Sequence, residues 1–441
     1  MSPSITIEEY QKRRAHLLAR LKKASAHAIA VIPSAQLQTR SRDTEFPFRQ
    51  DSDFFYLTGF NEPNAMLVLA PHADAPVQLY CQPTSPQEEV WHGRRLGVDK
   101  AVESLGVDFA GSIDDVDDHL FALLDGAETV YFPHDKPDLA AQLYTIADEL
   151  RASPKQGHQA PQAWVDVNPW LADMRIIKSA AELDLMREAA RISVQAHKRA
   201  MLFAKPGKFE YQVAAEIHHE FAMHGALSPA YGTICGGGEN ACILHYTENQ
   251  SELRDGDLLL IDAGAEYQGF AGDITRTFPV NGRFSDAQKE LYNVVLAAQE
   301  AALATLKPGS NLPTAMKAAG KALTEGLHAL GILKGSLKKL VDDEAFRPFM
   351  IHGLGHWLGL DVHDVGTYTQ EGKKRKFEPG MVLTIEPGIY IPKGMPNVDE
   401  KWHGIGIRIE DDVIITENGH ENMTSAVPKT VAEIEQWMTA K

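Results

Sequence analysis

Four acidic residues in the C-terminal half of the sequence stand inside runs that otherwise read as apolar strands: Asp262 in LLLIDAGA, Asp273 in FAGDITRTF, Glu386 in MVLTIEPGIYI and Glu410 in GIGIRIEDDVII. Alternation puts Val382, Thr384 and Glu386 on one face of their run, and Arg408 with Glu410 on the face opposite Ile405, Ile407 and Ile409. The first two runs read as a hairpin whose turn, centred on Tyr267 and Gln268, sets Asp262 directly opposite Asp273. Like charges so placed repel across about 5 Å, and burying them unpaired is costly. A cation removes both penalties. Carboxylate oxygens combined with an imidazole suit manganese, cobalt, iron or zinc, and HGLGHWLGLDVHD offers His352, His356 and His363. Two divalent ions, rather than one, neutralise four carboxylates and a neutral histidine, which favours a binuclear centre. A lone strand aspartate more often faces solvent, and IEDD by itself reads as a strand leaving its sheet. It is the joint occurrence in one half of the chain that points to a metal.

These residues need a rigid frame. Residues 1–173 alternate strand-like runs (AHAIAVIP, AMLVLAP, VQLYCQ, TVYFP) with helical ones, as an α/β layer domain does, a mixed sheet flanked by helices. The stretch 152–170, rich in Pro and Gln, reads as the boundary region. Residues 174–441 open with a long helix, for which Ser179 and Glu182 have capping-box spacing, and continue with three more helices interleaved with the acidic strands. Helices over a curved, mainly antiparallel sheet make an α+β domain. Thr6 and Glu9 have the same capping-box spacing ahead of an amphipathic segment near the start.

At 441 residues, 44% hydrophobic and 23% charged, the chain is long enough for two ordinary cores. Its 43 basic and 60 acidic residues give a formal charge of −17, which argues against nucleic acid or an anionic membrane as partner. No run approaches the roughly 20 apolar residues of a membrane span. The three cysteines, Cys81, Cys235 and Cys242, have no paired spacing and fit a reducing, cytoplasmic setting.

The ordered set DAGAEYQGFAGDITRTFPV, HGLGHWLGLDVHD, TIEPGIYI and GIGIRIEDD closely resembles the pita-bread metallopeptidases, the group of methionine aminopeptidase, prolidase and aminopeptidase P. With FRQDSDFFYLTGFNEPNAMLVL and WHGRRLG in the first half, the likeness is greatest to the bacterial aminopeptidase P branch and spans nearly the whole chain. The resemblance implies a C-terminal pita-bread domain and a first domain that supports assembly and the entrance to the site. It makes Asp262, Asp273, His356, Glu386 and Glu410 the ligands of two divalent ions, manganese by preference, with cobalt, zinc or iron possible. Glu386, His363 and His245 become catalytic residues, and His352, Tyr390 and Arg408 substrate-binding ones, with Trp91 closing over the site. The implied reaction is release of the first residue from peptides with proline second, by a homotetramer or, as second choice, a dimer. Prolidase, which takes only dipeptides, is the alternative, followed by a non-catalytic binding module of the same fold.

Overall fold

A computed structural model describes residues 3–439. The chain divides into two compact units, one formed by Ser4–Arg175 and the other by the chain from Ile176 onward.

The first unit is built on a six-stranded mixed sheet. Its strands run, in spatial order, Phe109–Ser112, Val77–Cys81, Met66–Leu69, Ala28–Pro33, Thr129–Phe132 and Ala163–Asp166. The Ala28–Pro33 strand pairs antiparallel with Met66–Leu69 and parallel with Thr129–Phe132. Its residues are buried on both sides, as a central strand covered by helices requires. Ile29, Val31, Val68, Leu120, Phe132 and Leu143 share one core cluster. The stretch read as an interdomain boundary carries the edge strand instead: Ala163–Asp166 pairs with Thr129–Phe132. Its loop-like composition reflects the flanking turns, while Trp164 supplies an apolar side chain to the core. The helix Ile7–Ala24 starts after Thr6, yet the Thr6 side chain makes no capping hydrogen bond.

In the second unit the long helix Ala180–Phe203 begins with a complete capping box: the Ser179 hydroxyl accepts from the Glu182 backbone N–H, and the Glu182 carboxylate accepts from that of Ser179. This helix and Glu210–Met223, Asp286–Leu303 and Leu312–Ala329 accompany short antiparallel ladders. The ladders are stitched together: the Glu410 N–H donates to the Thr275 carbonyl (3.0 Å), and the Thr277 hydroxyl donates to the Arg408 carbonyl (3.1 Å). The ladders are therefore joined edge to edge into a surface made of interrupted strands.

Candidate metal centre

The hairpin bearing both aspartates turns at Gln268–Gly269, where φ is +48° and +85°. Positive φ at both central residues is the signature of a two-residue type I′ turn, which matches the twist of paired strands. Its centre lies one residue beyond the one read from the sequence, so every partner moves by two. Asp262 faces Thr275, and Asp273 is displaced from it along the ladder. Because the displacement is even, both carboxylates stay on the same face.

Directly opposed acids do occur, but elsewhere. Val382–Ile385 pairs with Asp411–Thr416, and Gly388–Ile391 pairs with Ile405–Arg408, in one unbroken register. Extending that register across the interruption at Pro387 sets Glu386 opposite Glu410. The segment 353–358 then lies alongside Val382–Ile385: the Thr384 N–H donates to the His356 carbonyl (2.9 Å) and the Glu386 N–H to that of Leu354 (2.8 Å). This extra strand brings His356 to the acids. The ligand atoms of Asp273, His356 and Glu410 lie within 4.8 Å of one another.

All five candidate ligands line one cavity of about 510 Å³, together with His245, His352, His363 and Arg408. Tyr390 lies beneath it, joining His352 Nε2 (2.8 Å) to Arg408 Nη1 (2.9 Å). Arg408 in turn donates from Nη2 to Asp262 Oδ2 (2.6 Å) and from Nε to the Thr275 hydroxyl (3.1 Å). The rings of His356 and His363 meet edge to face at 4.2 Å. Trp91 sits on the Pro86–His92 helix of the first unit and is 82% exposed.

Two participants were not legible in the sequence. Tyr231, in an irregular loop with no periodic signal, puts its hydroxyl 2.6 Å from Asp262 Oδ1 and 2.5 Å from Asp273 Oδ1. Buried Asp412 accepts the Asp273 backbone N–H on Oδ2 (3.0 Å).

The donor set fits a cation because hydrogen atoms are too few for the acceptors. A phenol has one proton, so Tyr231 can donate to only one of its two carboxylate neighbours. His356 Nδ1 faces the Trp357 carbonyl (3.0 Å) and therefore carries the ring hydrogen of the neutral tautomer. Its Nε2 lone pair then points at Asp273 Oδ2 (3.4 Å) and Glu386 Oε1 (3.6 Å). Lone pairs aimed at one another are what a metal ion reconciles, and a carbonyl behind the imidazole is the usual orienting partner.

Without a metal, protons must take that place. Burial, reinforced by the neighbouring aspartates and only partly offset by His356 and Arg408, pushes Glu386 up to about 7. Burial and then Asp273, Glu386 and Asp262 raise Glu410 well above the carboxylate range. Burial alone would depress His356, but the hydrogen bond and charge of Asp273 and the charge of Glu386 outweigh it and lift the imidazole to about 9. His352 moves the other way, to about 4, through burial and the charge of Arg408.

Adjacent Asp411 is the contrasting case. Burial would raise it, but Arg276 and Lys429 hold it well below the usual range. Arg276 (2.6 Å), Lys429 (2.8 Å), Asn422 (2.9 Å) and Thr424 (2.9 Å) all donate to its carboxylate. In IEDD, then, the glutamate faces the cavity while the first aspartate is a fully satisfied structural anion.

Comparison with known proteins agrees with this geometry. The model of metallopeptidase family M24 matches residues 184–417, and that of the aminopeptidase P N-terminal domain matches residues 10–131. The chain is 48% identical to the Xaa-Pro aminopeptidase of Escherichia coli, covering 99% of this chain and 98% of that protein. It is 45% identical to the Haemophilus influenzae Xaa-Pro aminopeptidase, over 98% and 97%. Among solved structures, Pseudomonas aeruginosa aminopeptidase PepP superposes with a TM-score of 0.96 at 47% identity, covering 98% of each chain. Zinc-substituted E. coli aminopeptidase P in complex with product gives 0.95 at the same identity, covering 99% of this chain and 98% of that one. The chain thus belongs to metallopeptidase family M24, as a two-domain member with the aminopeptidase P architecture.

Proposed function

We propose that the chain is a metal-dependent Xaa-Pro aminopeptidase, releasing the N-terminal residue from peptides with proline in second position. The observation that carries this is the convergence of Asp262, Asp273, His356, Glu386 and Glu410 on one cavity where acceptors outnumber protons, in a chain similar end to end to Xaa-Pro aminopeptidases. These five residues would hold two divalent ions, manganese by preference. Ions so bound supply Lewis acidity and make hydroxide accessible near neutral pH.

The scissile bond precedes proline, whose nitrogen has no hydrogen to donate. Recognition must therefore use the ring and the carbonyl. His352 and Arg408 line the cavity and are joined from behind by the Tyr390 hydroxyl, forming a braced wall against which a proline ring can be held. His363 and His245, exposed at the rim of the cavity, are suited to donate to the carbonyl oxygen as negative charge develops there. Glu386 is placed to accept a proton from water at a carboxylate oxygen and return it to the leaving proline nitrogen. The acidic floor attracts a free α-ammonium group, which limits cleavage to the first residue.

The test is product analysis on an Xaa-Pro-Leu tripeptide and an Xaa-Pro dipeptide, after chelation and after adding manganese back. Metal-dependent release of the first residue from the tripeptide is expected. Cleavage of the dipeptide alone would replace this reading with prolidase. Light scattering addresses assembly, where a homotetramer organised through the first domain is expected and a monomer would refute it. A cytoplasmic setting is supported by three cysteines that are all free. Among the described residues no helix is long and apolar enough to cross a membrane.

A further inference from the structure

The second unit contains another cavity, of about 760 Å³, larger than the one with the acids and within the range of small-molecule sites. Its apolar wall comes from the Leu312–Ala329 helix (Leu312, Met316) with Phe346, Leu354 and Phe377. Its charged groups are unlike the chain as a whole. Five basic residues, Lys317, Lys321, Arg347, Lys374 and Arg375, line it against two acidic ones, Asp342 and Glu344, in a protein of net charge −17. Lys321 and Arg347 are engaged with Glu325 (3.7 Å) and Glu344 (2.9 Å). Among the described residues Lys317 and Lys374, both exposed, have no ion-pair partner, while Arg375 is 8% exposed.

Trp357, 1% exposed, belongs to the same wall, stacked on Tyr368 at 5.3 Å and 10°, with the Tyr368 hydroxyl accepting from the Trp357 backbone N–H (3.0 Å). This stack holds the aromatic side of the cavity in place for an apolar ligand body.

We propose that this cavity binds a small amphipathic anion, with its carboxylate or equivalent acidic head taken by the exposed Lys317 and Lys374, and its apolar body laid against Met316, Phe346 and Phe377. The site is separate from the catalytic cavity, yet Gly353 and Gly355 line both, so bound ligand rests on the segment that carries His352 and His356. The proposal is independent of which peptide the enzyme cleaves.

Decanoate and anilinonaphthalene sulfonate are the probes, titrated calorimetrically and by fluorescence into the manganese-loaded full chain. Measurements are made with and without saturating Pro-Leu, the product of Xaa-Pro-Leu cleavage. One saturable site per chain is expected, retained with Pro-Leu present and at least tenfold weaker in the surface double variant Lys317→Glu, Lys374→Glu. Decanol should bind at least tenfold more weakly than decanoate. The proposal is overturned by non-saturable binding, by displacement of the probes with Pro-Leu, by equal binding of decanol, or by unchanged affinity in the charge-reversed chain. Met316→Trp, which fills the cavity from its wall, gives a second check: retention of wild-type affinity there also sinks it.

Discussion

Glu210 touches none of the candidate ligands, yet its replacement by glutamine should impair catalysis. It is fully buried at the first turn of the Glu210–Met223 helix. Oε1 accepts from the Gly237 N–H (2.7 Å) and Asn240 Nδ2 (2.9 Å), and Oε2 from the Tyr246 hydroxyl (2.8 Å) and the Ser251 N–H (2.8 Å). Those donors bracket the 237–251 segment, which brings Leu244, His245 and Thr247 to the catalytic cavity. In Glu210→Gln an amide NH2 must replace one oxygen; the Tyr246 hydroxyl or the Asn240 amide can turn to accept from it, but the Gly237 or Ser251 N–H on the same side cannot, so at least one hydrogen bond is lost whichever way it is oriented. At about 1.5–3 kcal/mol for a bond to a charged group, the loss is at least about 1.5–3 kcal/mol before relaxation. Part of that will appear as lower stability. If the loop also shifts His245, kcat/KM on an Xaa-Pro-Leu peptide should fall by about 10- to 100-fold, or about 1.4–2.7 kcal/mol. The assay is a double-mutant cycle: wild type, Glu210→Gln, His245→Ala and the double variant, each scored for kcat/KM, bound metal and denaturant midpoint. Glu210→Gln should lower the midpoint in both backgrounds but lower kcat/KM only where His245 is present. Equal catalytic losses with and without His245, or reduced stability with undiminished kcat/KM, would refute the reasoning.

Three further outcomes are expected. Tyr231→Phe removes the hydroxyl shared by Asp262 and Asp273 and should weaken metal binding by about 10- to 100-fold in a metal titration, the range seen when groups orienting metal ligands are lost; unchanged affinity would deny Tyr231 that role. Lys178→Met breaks an ion pair with Asp364 (2.9 Å) whose side chains are 2% and 1% exposed, and should cost about 3–5 kcal/mol in chemical denaturation. A loss near that of a surface pair would mean the carboxylate finds other support. The metal-free chain should lose stability as pH rises. Glu386, raised from 4.5 to about 7, and His356, raised from 6.5 to about 9, both bind protons more tightly when folded. Their stabilisation is complete below the unfolded values and is lost as pH climbs through the folded ones. Above about pH 6.5, where the lowered His352 is neutral whether folded or unfolded, melting of the chelated chain up to about pH 9 should therefore show a falling Tm that saturating manganese removes, and a Tm that rises over that range contradicts the sign.

Much of the site was legible because strands encode faces locally. Acids at alternating positions in apolar runs declared that Asp262, Asp273, Glu386 and Glu410 were out of place in an ordinary core, and the motifs carrying them placed the chain in its family before any coordinates. Register was less legible. The turn centre depends on a left-handed conformation at Gln268, a residue type that seldom announces one, and a shift of one residue there displaced the expected partner of Asp262 by two. The interruption at Pro387 hid the opposition of Glu386 and Glu410, since the two halves of that ladder lie in separate strands. Likewise the Ala163–Asp166 strand was masked by its turn-rich flanks, although Trp164 packs against the sheet core.

By itself the sequence determined which residues had to be taken together: acids spaced along apolar strands, a histidine cluster, and a charge excess that a cation could relieve. Only the tertiary structure decided how they meet. It set Tyr231 between two aspartates, turned His356 Nε2 toward the acids by giving Nδ1 to a carbonyl, and surrounded Asp411 with donors while leaving Glu410 short of them. Periodicity is a property of neighbours along the chain, so it survives in the sequence. The supply of hydrogen-bond donors around a buried oxygen comes from segments far apart in number, and it exists only once they have packed.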